Sequence, residues 1–412
     1  MKGSVLEQNL ISSKGTFLLD KDEKLSLEQK RLIEKIITFS QENISSDKTS
    51  ILVIEGDAGT GKSLILQQAF TKIQQIAEED RQSPLYRTKN FLLVNHAEML
   101  KIYRKLAGEN PHLKKNSFMK PTSYINQSDK LQRNGDIVLI DEAHLLLTQS
   151  DNYNKFHQNN QLLEIIKRSR ILVLVFDPYQ VLKFKSLWSK GKLAGLIAAY
   201  PHEIFHLQQQ YRIEDAGNSL ANWINQLTRK RKIVPSVESR HFDLKFFENP
   251  RLMFKQIKLH NQQFGLSRML ATTDFPYTVG KGVWYVQAGD FRLPWDQLDV
   301  GNEPWALRDE TINEVGSIYT IQGFDLNYVG LIIGPSISYD EKKEELTVDP
   351  SGYEDHAAFR TPKDRDISTD DQQQIMLNAL NVLLKRGRKG LYIYACDGKL
   401  RRRLAQVTIL ND

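Results

Sequence analysis

Apolar residues in the first half of this chain gather in short unbroken runs, at 51–54, 91–94, 137–140 and 171–176, with a shorter one at 204–205. Runs of this length read as strands buried on both faces, the pattern of a parallel sheet covered by helices. Helix-period stripes lie between them. Leu32, Ile33, Ile36 and Ile37 form one, and Leu64, Ile65, Ala69, Phe70, Ile73 and Ile76 another. Ser26 with Gln29 three residues on has the form of a capping box opening the first. The second half repeats the theme. Strand-like runs fall at 268–271, 283–286, 318–321, 329–333 and 391–394, and Leu220, Trp223, Ile224 and Leu227 form an amphipathic helix. Residues 1–24 are a polar lead-in, and residues 336–372 read as a long charged surface excursion. The aromatics between 275 and 305 carry large apolar area, so they read as core more readily than as a base-stacking surface.

The first strand runs into Gly56-Asp57-Ala58-Gly59-Thr60-Gly61-Lys62-Ser63, which fits G-x-x-x-x-G-K-[ST] between a strand and a helix. In that setting glycines let backbone N–H groups curl around phosphates and the helix dipole adds to the attraction. Lys62 then reaches the β- and γ-phosphates, and Ser63 ligates Mg²⁺. Residues 136–144 end a strand in Asp141-Glu142-Ala143-His144. Asp141 is the expected magnesium carboxylate and Glu142 the base that polarises the attacking water. The 171–176 strand enters Asp177-Pro178-Tyr179-Gln180. A carboxylate and an amide there lie where ligands bind in open parallel sheets, although an Asp-Pro turn reads the same way. Gln29 is open to two readings, a helix cap or an amide that meets the adenine edge. Arg212, after Gln208-Gln209-Gln210-Tyr211, is a candidate cation for the γ-phosphate. Arg386 is a second candidate finger, or else a basic helix end beside Gly387.

The totals narrow the setting. With 412 residues the chain has room for two or three domains. A net charge of +6 permits a polyanionic partner without demanding one. Cys396, the single cysteine, excludes intrachain disulfides and Cys-rich metal sites and fits a cytoplasmic protein. No run is long enough to span a bilayer, so no membrane partner is expected.

In order, Gln29, the 56–63 loop, Asp141–His144, Asp177–Gln180, Gln210-Tyr211-Arg212, Gln322-Gly323-Phe324-Asp325 and Arg386 resemble the motifs of superfamily 1 helicases. The chain looks most like a bacterial family of DNA/RNA helicase domains related to the Schlafen group III helicase-like domain. The likeness extends to residues 176–184, 289–295, 308–325 and 353–359 and covers roughly 25–405. It implies an α/β fold of two RecA-like P-loop NTPase domains with parallel β-sheets, at 25–206 and 207–412, with ATP between them. It also implies adenine contact by Gln29, γ-phosphate sensing by Gln180 and Arg212, ribose or coupling contacts by Gln322 and Asp325, and a finger at Arg386. Lys385 departs from the family's usual Thr. The expected activity is Mg²⁺-dependent ATP hydrolysis coupled to single-stranded DNA or RNA. The rival is an ATP-gated switch in phage defence or stress response, with any effector activity supplied by a protein partner.

Overall fold

The computed structural model describes residues 25–131, 134–152, 154–186, 188–207, 219–235, 242–278, 282–297, 303–321, 323–360 and 367–408. These fall into two compact α/β units, one within 25–207 and the other within 219–408. Arg212 and Gln322 lie outside the described residues.

The first unit is built on six strands, β1 (Ser50–Gly56), β2 (Asn90–Val94), β3 (Phe118–Met119), β4 (Gly135–Asp141), β5 (Ser169–Phe176) and β6 (His202–Leu207). They lie in the order β3-β2-β4-β5-β1-β6, and every pairing is parallel. Side chains alternate across a strand, so a run without polar interruption must be covered twice. Ile51 and Val53 of β1, with Leu172 and Leu174 of β5, face a core closed by α4 (Pro121–Leu131), α5 (Gln161–Ile166) and α6 (Lys190–Ile197). Helices α1 (Leu27–Asn43) and α2 (Lys62–Glu79) pack against each other and against the sheet, and α3 (Ala97–Glu109) follows β2. The expected capping box opens α1. The Gln29 N–H donates to Ser26 Oγ at 3.2 Å, and the Ser26 N–H donates back to Gln29 Oε1 at 2.9 Å. The 56–63 loop, Asp141–His144 and Asp177–Gln180 all lie at the carboxyl edge of this sheet.

The second unit holds a seven-stranded sheet in the order β7-β15-β12-β8-β11-β10-β9, parallel except for the β9–β10 edge pair. Its strands are β7 (Asp243–Phe246), β8 (Ser267–Ala271), β9 (Trp284–Ala288), β10 (Phe291–Trp295), β11 (Val315–Gly316), β12 (Leu326–Ile333) and β15 (Gly387–Ala395). Helices α7 (Ser219–Arg229), α8 (Pro250–Phe264), α9 (Ile318–Ile321), α10 (Thr369–Leu384) and α11 (Gly398–Thr408) accompany it. The tandem arrangement is the RecA-like fold class expected from the sequence.

Two readings are corrected. Residues 318–321 form α9 and not a strand, because hydroxyls seize the backbone first: Ser317 N–H donates to Thr320 Oγ1 at 2.8 Å, and Tyr319 N–H to Ser317 Oγ at 3.0 Å. Part of the 336–372 excursion is also packed. Its hairpin, β13 (Ile337–Asp340) with β14 (Glu345–Val348), buries Ile337, Leu346 and Val348. Of the aromatics in 275–305, Phe275, Phe291, Trp295 and Trp305 are buried, as core packing requires.

Candidate active site

The phosphate loop joins β1 to α2 by a turn that needs its glycines. Gly59 and Gly61 hold φ of 87° and 80°, where an L side chain is strained. Gly61 is the N-cap of α2 and has no Cβ for a further reason. A Cβ there would stand 2.4 Å from Gln29 Nε2. No side chain caps α2 and no acidic residue occupies its first turn. Its leading N–H groups and dipole therefore face the loop with nothing anionic from their own turn to compete. The Ala58 N–H donates to Asp57 Oδ1 at 2.8 Å, and Thr60 Oγ1 donates to the Asp57 carbonyl at 3.0 Å. Lys62 is buried within this turn. Its Nζ donates to the carbonyls of Gly56 at 2.8 Å and Asp57 at 2.7 Å, 3.9 Å from Asp177 Oδ2.

Asp141 ends β4 and is buried beside the loop. One carboxylate oxygen accepts from the Glu142 N–H at 3.0 Å, and the other from the Tyr103 hydroxyl at 2.6 Å. Burial, then repulsion from Glu142, pushes the Asp141 carboxyl up to about 6, while the hydroxyls of Tyr103 and Ser63 and the charge of Lys62 oppose the rise. The Tyr103 phenol is driven well above its ordinary value by the same burial and by the Asp141 charge. Ser63 acts on both Asp141 and Tyr103, opposing the rise of each. Among the described residues no three His, Cys, Asp or Glu side chains form an all-protein metal cage. Magnesium at a phosphate loop takes a Ser and an Asp and completes its shell with phosphate and water. Ser63 with Asp141 fits that donor set, and a buried carboxylate with a raised pKa is short of positive charge. Glu142 adopts a left-handed backbone, φ 55° and ψ 50°, and its Oε2 lies 3.0 Å from Nε2 of the fully buried His144.

Asp177 follows β5 and is committed on both oxygens. Oδ1 accepts from the Tyr179 N–H at 3.0 Å, and Oδ2 accepts from Gln180 Nε2 at 2.6 Å while facing Lys62. The Asp-Pro turn is present, and it fixes Gln180 one carboxylate away from the loop lysine. For Gln29 the helix cap is present. Its oxygen closes the cap and its nitrogen abuts Gly61.

In the second unit, Arg386 is buried where α10 meets β15. Its Nε donates to the Val382 carbonyl at 3.1 Å and one terminal nitrogen to the Phe324 carbonyl at 3.2 Å, while the Leu326 N–H donates to the Arg386 carbonyl at 2.9 Å. These bonds bring Arg386 to Asp325, which is buried at the head of β12. Lys385 is fully buried and donates to Asn225 Oδ1 of α7 at 2.8 Å, so the residue that departs from the family's Thr ties two helices together. Sequence reasoning missed Tyr103 altogether and saw Asp177 only as a strand-end carboxylate. The signal for Tyr103 was a hydroxyl-tipped ring on the Met99–Ile102–Tyr103–Leu106 face of an otherwise basic helix.

Comparison with known proteins bears on this geometry. The model of the Schlafen group 3, DNA/RNA helicase domain matches residues 49–397. The uncharacterized protein YPL245W of Saccharomyces cerevisiae is 39% identical over 411 residues, covering 92% of this chain and 90% of the yeast protein. Among solved structures, AMPPCP-bound DnaA from Aquifex aeolicus aligns over 50% of this chain and 53% of its own at 16% identity, with a TM-score of 0.26, too slight a likeness to carry argument. No helix among the described residues is long and apolar enough to cross a membrane. With an ATP-binding phosphate loop and a family match over most of its length, the chain belongs to the Schlafen group 3 DNA/RNA helicase domain family, whose members are helicase-type P-loop NTPases.

Proposed function

We propose that this chain hydrolyses ATP with Mg²⁺ and couples the reaction to movement along single-stranded DNA or RNA. The observation that carries the reading is the convergence at one sheet edge of Lys62, the Ser63–Asp141 pair and the Asp177–Gln180 pair. Ser63 and Asp141 are the residues to hold the metal, which supplies charge neutralisation at the phosphates. Lys62 exchanges its two loop carbonyls for phosphate oxygens. Glu142 orients the attacking water, and Gln180 senses the γ-phosphate through a side chain already fixed by Asp177. Gln29 offers its nitrogen to the adenine edge while its oxygen keeps the α1 cap. We assign Arg212 and Arg386 to the charge of the transferring phosphoryl group, Gln322 and Asp325 to ribose or coupling contacts, and the lobes to 25–206 and 207–412.

Phosphate release by the full chain, with and without poly(dT) or poly(U) and at two salt concentrations, tests the coupling. A strand bound through its backbone stimulates turnover, and the stimulation falls as salt rises because counterion release drives the binding. Turnover indifferent to either polymer would replace the motor by an ATP-gated switch, of the kind used in phage defence or stress response. A chain that binds no ATP would end both readings.

A further inference from the structure

The Tyr103 hydroxyl lies fully buried in the first unit, with its donor spent on a carboxylate. A buried tyrosine hydroxyl needs a hydrogen-bond partner. This one is aimed at Asp141 Oδ2 from 2.6 Å, the shortest bond that carboxylate makes here, and its partner on Oδ1 is the Glu142 N–H at 3.0 Å. One donor on each oxygen fixes the plane of the carboxylate, and each oxygen keeps a lone pair. The ring itself is held. It stacks on Phe118 of β3, with centroids 5.7 Å apart and planes 11° from parallel, and Phe118 meets Phe70 edge-on at 5.3 Å. Phe70 belongs to α2, the helix that carries Ser63. The column Tyr103–Phe118–Phe70 thus joins the carboxylate's hydroxyl donor to the helix that presents the other proposed metal ligand.

We propose that Tyr103 is a positioning residue for the magnesium site, orienting Asp141 toward the ion that Ser63 also holds; the inference rests on the metal assignment made above. Hydrogen-bond partners behind metal ligands are worth about 10- to 100-fold in metal affinity. Tyr103→Phe is the direct probe, since it keeps the ring and its stacking and removes one oxygen.

ADP affinity of the full chain is measured by equilibrium titration in excess EDTA and again in saturating Mg²⁺, for the parent, Tyr103→Phe, Asp141→Asn and the double variant. The expected result is an EDTA affinity within about twofold of the parent and a loss of about tenfold or more in the Mg²⁺ enhancement for Tyr103→Phe. In the Asp141→Asn background Tyr103→Phe should cause no further loss, because the hydroxyl acts through that carboxylate. Full parental enhancement in Tyr103→Phe overturns the inference. So does an equal loss in EDTA and in Mg²⁺, which is the mark of packing alone. A parent whose affinity ignores Mg²⁺ overturns the metal assignment itself, and Tyr103's role with it.

Discussion

Replacing Gly61 by alanine imposes two separate costs that the geometry allows to be sized. At φ 80° an L residue sits in the left-handed region, at about 1–2 kcal/mol. The new Cβ would also stand 2.4 Å from Gln29 Nε2, so the amide must swing away. In swinging it surrenders the bond from the Ser26 N–H to its Oε1, a loss of roughly 0.5–1.5 kcal/mol. Gly61→Ala should therefore destabilise the first unit by about 2–3 kcal/mol. In a Gln29→Ala background the collision and the cap bond are already gone, and only the backbone strain is left. The two substitutions should be non-additive by about 1 kcal/mol, with the pair less damaging than the sum. Native-state hydrogen exchange at the β1 and β5 amides across a urea series reads the stability of this unit alone. Additivity to within about 0.3–0.5 kcal/mol would refute the claim that α1 and the phosphate loop share this contact.

Arg386→Ala should lower turnover by about 10³-fold or more, the scale of an arginine finger, with ATP binding nearly intact. The same variant should lose about 2 kcal/mol of stability, since the Val382 and Phe324 carbonyls give up a charged donor; unchanged turnover would remove Arg386 from the reaction. Asp296, buried after β10 and accepting from Ser317 Oγ, is pushed up to about 6, chiefly by burial. A raised carboxyl pKa stabilises fully below the unfolded value near 3.9 and loses that contribution as pH climbs through 6. The parent should fall relative to Asp296→Asn by about 2 kcal/mol between about pH 4 and 6, and parallel stability–pH curves for the two would refute the assignment.

The inner strands of the first sheet, β1, β2, β4 and β5, were legible because they are covered on both faces. Double burial leaves runs such as Ile51–Leu52–Val53–Ile54 without a polar interruption, and the phosphate loop is pinned between such a run and a helix. The second unit was harder to read. β7 is a short, partly exposed edge strand and β11 is two residues long, so neither leaves a hydrophobic run to find. Ile318–Tyr319–Thr320–Ile321 has the composition of a strand, but Ser317 and Thr320 give the backbone a local alternative. Within the site, the groups that local chain brings to the sheet edge were visible from spacing. Tyr103 was not, because its partner stands 38 positions away and only the β2–β4 pairing brings α3 to it.

Glu142 has a consequence for how this protein can change. Its left-handed backbone costs on the order of 1–2 kcal/mol for a residue with a side chain, and glycine would sit there without strain. On the proposed role of Glu142 in orienting the attacking water, glycine there would relieve the backbone and remove the reaction together. That reading makes position 142 a place where robustness and turnover pull in opposite directions.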